Sequence, residues 1–265
     1  MNFIGDAIRW ILDRAHYGGA NGIEVRLGEH LLISFFVVLV AAAVAIPLGF
    51  VIGHTGRGKS TAVLVTGGIR ALPTLGLLSI IALSLGIGLT APFIALVVLA
   101  VPSILAGAYA GFEAVDRRTV DAARAVGMTE AQIIRRVEIP LGLPLLIGGL
   151  RASSLQVIAT ATLADYVGGG GLGHYLFVGL QTRDYPQMLA GSLLVVILAV
   201  ISEVVFAILQ RIVVPAGVRA GQATGLVRRT LGGVRGNRHT RTRESSQQSE
   251  RYRTHAQSKI QLHQR

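Results

Sequence analysis

The stretch Leu31–Ile52, LLISFFVVLVAAAVAIPLGFVI, runs for 22 residues without a charge. A helix needs about 20 apolar residues to cross a hydrocarbon core of about 30 Å, so this segment is long enough to span a membrane. Further along, the 42 residues between Arg70 and Glu113 are also uncharged. As one helix they would extend about 63 Å, roughly twice the membrane. They must turn back, and Leu85-Gly86-Ile87-Gly88-Leu89-Thr90-Ala91-Pro92 supplies the glycine and proline punctuation. A second span is expected near 61–86, carrying Arg70, and a third near 92–112. The charged segment 113–138 interrupts the pattern. A fourth span near 143–163 carries Arg151, and a fifth near 187–210 carries Glu203. The expected fold is all-α, a polytopic membrane protein of about five transmembrane helices.

Composition agrees. Of the 265 residues, 51% are hydrophobic and only 15% charged, against roughly 25% charged in soluble domains. Mean hydropathy is +0.58, too apolar for disorder over most of the chain. With no cysteine, disulfide frameworks and thiolate metal sites are excluded. The net charge of +11 is unevenly placed. Arg219–Arg265 hold 11 Lys+Arg and 2 Asp+Glu, leaving 14 and 12 in residues 1–218. The chain is a nearly neutral apolar body with a basic tail.

Orientation follows from the basic residues. The 53–60 loop carries Arg57 and Lys59, and the 113–142 loop carries Arg117, Arg118, Arg124, Arg135 and Arg136; the tail adds eleven more. The opposite side has only Arg9, Arg14, Arg26 and Arg183. The basic side is expected to be cytoplasmic, with the N-terminus outside and the C-terminus inside. Ile4, Ala7, Ile8, Ile11, Leu12 and Ala15 recur at helical spacing. They mark an amphipathic helix that either lies on the outer membrane surface or packs on another subunit. The organisation read from this is an extracytoplasmic N-terminal segment over 1–30, a transmembrane domain over 31–215 with a cytoplasmic loop at 113–142, and a basic tail over 216–265.

Two phosphate-binding patterns occur, and neither has its context. Gly53-His54-Thr55-Gly56-Arg57-Gly58-Lys59-Ser60 satisfies GxxxxGK[ST]. A P-loop needs a preceding strand and a soluble α/β domain, so that backbone amides at a helix N-terminus cradle the phosphate. Here apolar spans flank it, and the reading is a cytoplasmic turn. The run Gly168-Gly169-Gly170-Gly171-Leu172-Gly173 contains GxGxxG, again without a βαβ unit. Its five glycines instead indicate a sharply bent or closely packed backbone. No nucleophile–base arrangement is evident, and His54 and His174 stand isolated in the sequence.

The charged loop is the informative part. Asp121-Ala122-Ala123-Arg124-Ala125-Val126-Gly127 reads as a short helix with small residues on one face, stopped near a glycine. A second stretch runs through Val137-Glu138-Ile139 and ends at Pro140. Small side chains let another protein approach the backbone closely, although an amphipathic connector would read the same way.

This segment resembles the EAA motif of ABC-transporter permeases, EAA-x3-G-x9-I-x-L-P, with Asp121 for Glu, Val137 for Ile and Ile139 for Leu. Arg70-Ala71-Leu72-Pro73, the run Gly149–Ser154, and Leu163–Gly173 look like the osmoprotectant branch, which imports glycine betaine, choline, carnitine or proline. Methionine and phosphonate permeases share some of these elements, so a permease for methionine or another small polar solute is the alternative. The similarity covers about residues 25–215.

The resemblance implies the type I, MetI-like importer fold. It also implies a second permease subunit, identical or related, an ATP-binding subunit inside, and a substrate-binding protein outside. Asp121, Ala122, Ala123, Gly127, Met128 and Pro140 would couple to the ATP-binding subunit, with the Ala122 and Ala123 face against it. ATP would be bound there, so this chain needs no cofactor or metal and is not itself an enzyme.

Arginine at a helix centre costs about 2.5–3.5 kcal/mol on insertion scales, so Arg70 and Arg151 should face protein or water. Glu203 is a partner for either. Arg70, Pro73, Arg151, Tyr109, Tyr166 and Glu203 are candidates for the translocation path or for intramembrane pairing. For Tyr109, Tyr166 and Tyr175 helix packing or interface anchoring is the favoured reading over a place in the path. The tail suits an anionic lipid surface or a solvated end; no motif supports nucleic-acid binding.

Overall fold

The computed structural model describes residues 2–214, whose regular structure is helical, with no strand among them. The tail expected over 216–265 lies outside the described residues. Helix α1 (Phe3–Leu12) is capped by Asn2, whose side chain accepts from the Gly5 N–H at 3.2 Å. Its rings pack on the chain itself. Phe3 meets Tyr185 edge-on at 6.2 Å and Trp10 meets Tyr175 at 5.1 Å. The amphipathic helix of the N-terminus is therefore held in cis, while Ile4, Ile8 and Leu12 remain exposed.

Helix α2 (Ile23–Thr55) starts ahead of the uncharged stretch and takes in Glu24, Arg26, Glu29 and His30 from the segment assigned to the N-terminal region. Its 33 residues extend about 50 Å, beyond the hydrocarbon thickness. Gly56 ends it in a left-handed turn with φ 68°.

The expected second span differs. It is two half-helices, α3 (Lys59–Arg70) and α4 (Thr74–Leu85), bent by 84°. Each half is about 18 Å long, too short to cross alone. The break falls at Ala71-Leu72-Pro73, where proline offers no N–H and disfavours helix in the residue before it. The described residues thus hold four helices long and apolar enough to cross, or five with the broken pair taken as one span.

Helix α5 (Thr90–Glu113) is the axis of the fold. A core of Ile33, Val37, Ala41 and Ala45 from α2 meets Leu96, Ala100, Ile104 and Leu105 from α5, and Val157 from the fourth span. Two glycines set the α2–α5 distance: a Cβ on Gly49 or Gly53 would collide with the side chain of Ala108 or Phe112.

The 113–142 loop folds as α6 (Arg117–Ala125), α7 (Glu130–Ile133) and a π turn over Ile134–Glu138, running without a stop into α8 (Ile139–Thr160). Here the sequence expectation fails. Pro140 does not end a stretch but sits in the first turn of α8. That is the one part of a helix where a missing N–H costs little.

Helix α8 lies against α5 at backbone distance. A Cβ on Gly107 would stand 2.7 Å from Gly149 Cα, and one on Gly111 2.7 Å from the Gly142 oxygen. Small residues that permit such approach are how helices associate in lipid, where burial supplies no hydrophobic drive. A 3-10 segment, Ala161–Val167, then leads through the glycine run into α9 (Gly173–Thr182) and α10 (Tyr185–Val213). Much of α10 is exposed and apolar, including Val196, Val200, Val204 and Ile208, as expected of a surface that meets lipid or another subunit.

Candidate functional site: the 113–142 segment and the polar groups within the spans

Helix α6 begins at Asp116, whose side chain accepts from the Arg118 N–H at 2.9 Å. It ends in a turn that only glycine adopts cheaply. Gly127 has φ 85°, its N–H reaching the Arg124 oxygen at 2.9 Å, while the Met128 N–H reaches the Ala123 oxygen at 3.1 Å. Thr129 and Gln132 then form a capping box that starts α7.

One face of this unit closes on itself. Val115, Val120, Ala123 and Ile133 form a small core, with Met128 and Val137 packed against it. Ala123 is 8% exposed, so it does not share the outward face expected for Ala122 and Ala123 together. Adjacent helical residues point about 100° apart, which sends one alanine in and the other out. The outward surface holds Asp121, Ala122, Ala125, Val126 and Gly127, with Val126 79% exposed. A Cβ on Gly127 would meet nothing within 4 Å. The constraint at Gly127 from this chain is conformational, not steric.

Arg124 clamps the unit, donating to Glu130 at 2.7 and 3.1 Å and to Asp121 at 3.2 Å. The hydrogen bond to Glu130, more than any other contact, holds its guanidinium above the ordinary arginine range.

His54 is not isolated. Its Nδ1 lies 2.6 Å from Glu138 Oε2 and its Nε2 3.4 Å from Glu130 Oε2. Glu138 is 1% exposed, so His54 supplies the partner that a buried carboxylate requires. The end of α2 is thereby tied to both α7 and the π turn. His174, likewise, lies 3.6 Å from Asp165.

Of the intramembrane candidates, Arg151 and Glu203 are joined, with Nε to Oε2 at 2.7 Å. Arg70 is elsewhere, at the end of α3 beside the break. It reaches Ser103 Oγ at 3.5 Å; Ser103 donates to Gln156 Oε1 at 3.1 Å, and Gln156 Nε2 donates to the Leu99 oxygen at 3.4 Å. Pro73 caps the start of α4. Tyr109 is half-buried against the α2–α5 core. Tyr166 is exposed, 5.8 Å from the ring of Phe177. Tyr175 is a packing residue. It is 4% exposed and its OH donates to the Asn21 oxygen at 2.7 Å; burial, above all, pushes its pKa up to about 12.

The glycine run is gripped by α2. Glu29 accepts from the Gly171 N–H at 2.9 Å. His30 Nδ1 accepts from the Leu172 N–H at 3.3 Å, while Nε2 contacts the Ile158 oxygen at 2.9 Å. A carbonyl can only accept, so these partners select the Nε2-protonated tautomer. Gly53–Ser60 is a helix–turn–helix, with Gly56 and Gly58 left-handed and Lys59 paired to Glu113. It carries none of the strand context of a P-loop.

Ser103, Gln156, Glu138, Glu29 and His30 were not marked by sequence reasoning. Gln156 had a signal, as a lone amide inside an apolar span. The rest show none without the fold.

Residues 45–217 match the family model described as binding-protein-dependent transport system inner membrane component. Similar proteins include the choline transport system permease protein of Bacillus subtilis, 36% identical over 72% of this chain and 88% of that one. The glycine betaine/carnitine/choline transport system permease protein of Bacillus subtilis is also 36% identical, over 75% and 93%. The carnitine transport permease protein of Listeria monocytogenes is 34% identical over 77% and 94%. A solved inward-facing methionine ABC transporter has the same fold, with a TM-score of 0.64 at 23% identity over 73% of this chain and 96% of that one. The chain is a multi-pass transport permease, not an enzyme by its kinship, and it belongs to the family of binding-protein-dependent transport system inner membrane components.

Proposed function

We propose that this chain is the permease subunit of an ATP-driven importer for an osmoprotectant such as glycine betaine, choline, carnitine or proline. The observation that carries this reading is the similarity, over most of their length, to permeases named for choline, glycine betaine and carnitine. Two permease subunits, identical or related, surround the path. An ATP-binding subunit docks inside and a substrate-binding protein delivers solute outside.

Docking falls to the outward face of α6, through Asp121, Ala122, Val126 and Gly127. ATP-driven closure of the partner subunits brings the two copies of this face together. Ala123 and Met128 serve from behind, in the small core that holds α6 on α7, and Pro140 starts α8. The clamp from Arg124 through Glu130 to His54 and Glu138 carries that displacement into α2 and α8. Hydrolysis takes place in the partner. The N-terminus lies outside and the tail inside, where its basic residues meet anionic lipid. Within the membrane, Arg151 and Glu203 brace α8 against α10, while Arg70, Pro73, Tyr109 and Tyr166 flank the route of the solute.

The test is uptake of labelled glycine betaine, choline, proline and methionine by cells with and without the gene, together with co-purification of an ATP-binding protein. Uptake of methionine alone, or no associated ATP-binding protein, overturns the reading.

A further inference from the structure

Two arginines sit within apolar segments, and their surroundings differ. Arg151 is neutralised by Glu203. Arg70 has no carboxylate within ion-pair distance among the described residues, only the neutral hydroxyl of Ser103 at 3.5 Å. A guanidinium offers five donors, and this is the one hydrogen bond it makes to them. An intramembrane cation without a counter-charge is costly, and such residues mark the paths of ions and substrates.

The neighbourhood is organised for an anion. Ser103 gives its proton to Gln156 and Gln156 gives its own to the Leu99 oxygen, so the hydroxyl presents a lone pair to Arg70. The direction of the ladder is fixed, and the guanidinium's remaining donors are left for another acceptor. Arg70 is exposed, so that acceptor can arrive from outside the chain. Beside it the span breaks at Ala71–Pro73, and α4 starts there with no side chain capping its first N–H groups. A helix N-terminus carries partial positive charge, and broken helices of this kind place it toward anionic parts of a solute in other transporters.

We propose that Arg70 receives the carboxylate of a zwitterionic solute during passage, and that the permease therefore discriminates carboxylate-bearing osmolytes from choline, a cation without a carboxylate. This rests on the importer reading above and narrows its solute class. A free cation approaching Arg70 meets like charge in a medium of low dielectric, where repulsion is strong. A betaine or carnitine brings the missing counter-charge with it.

The experiment uses the assembled transporter with its ATP-binding and substrate-binding partners in proteoliposomes. Uptake of labelled glycine betaine, carnitine and choline is measured for wild type, Arg70→Gln and Arg70→Lys. The ratio of variant to wild type for each solute cancels selectivity imposed by the binding protein. Arg70→Gln is expected to lower betaine and carnitine uptake about tenfold, the loss of one charged hydrogen bond. Choline uptake should fall less than uptake of the two carboxylates, assembly should persist, and Arg70→Lys should restore part of the carboxylate uptake. Equal losses for all three solutes, as when Arg70 pairs with a carboxylate of a second copy, would overturn the proposal. So would unchanged betaine uptake. Failure of wild type to carry any of the three would instead overturn the solute reading on which it rests.

Discussion

Arg151 of α8 and Glu203 of α10 face each other between two apolar helices, with Nε 2.7 Å from Oε2 and each side chain about one-third exposed (35%). The pair is the polar link between the fourth span and the last one. Removing either partner strands the other charge. Interhelical polar contacts in membranes are worth about 0.6–1.7 kcal/mol, and a stranded ion costs more. Arg151→Ala and Glu203→Ala should each lower the melting temperature of the purified complex, and the charge-reversed double variant Arg151→Glu/Glu203→Arg should recover part of it. Single variants that melt like wild type would remove the bracing role.

Gly127→Asp is expected to insert normally and yet lose the ATP-binding subunit or uncouple it. A non-glycine residue at φ 85° costs about 1–2 kcal/mol, and the new side chain projects where the chain itself offers nothing. On the docking reading, the added volume falls on the partner. Membrane content, co-purification of the ATP-binding subunit and solute uptake are the three measurements. Wild-type values for the last two would leave the loop without a docking role.

Lys59→Ala should leave ATP-driven uptake close to wild type. The residue pairs with Glu113 on an exposed surface, and exposed pairs contribute little. A phosphate-binding lysine would instead be indispensable. Loss of hydrolysis by an intact assembly would mean that Gly53–Ser60 binds nucleotide after all.

Single cysteines at Gly56, Gly88 and Gln181, in a chain that has none of its own, report the topology. With the N-terminus outside, an impermeant thiol reagent applied externally should label Gly88→Cys and Gln181→Cys and spare Gly56→Cys. The reverse pattern inverts the assignment.

What could be read before folding was what repeats or is long. Leu31–Ile52 and the run after Arg70 announced spans because lipid demands uninterrupted apolar length. The stop at Gly127 was visible because a helix end there needs a residue free of Cβ. The break in the second span was less plain, since Leu72-Pro73 marks a boundary without stating its angle of 84°. Pairings across distance were the hidden part. Arg70 and Arg151 were equal claimants on Glu203, and only the placement of α8 beside α10 decides between them. His54 and Glu138 are 84 positions apart, so no local pattern could join them. Ala122 and Ala123 looked alike as neighbours, yet one lines a miniature core and the other faces outward.

The contact of Gly107 with Gly149 and of Gly111 with Gly142 has a mechanical result. Two helices touching backbone to backbone have no side-chain cushion to deform, so sliding one past the other must first force them apart. Helices α5 and α8 then move as one stiff spar. Any bending of the chain is then expected at the joints around that spar, the elbow at Ala71–Pro73 and the π turn at Ile134–Glu138. Side chains enlarged at Gly107 or Gly149 would not jam a moving part. They would split the frame on which the moving parts are hung.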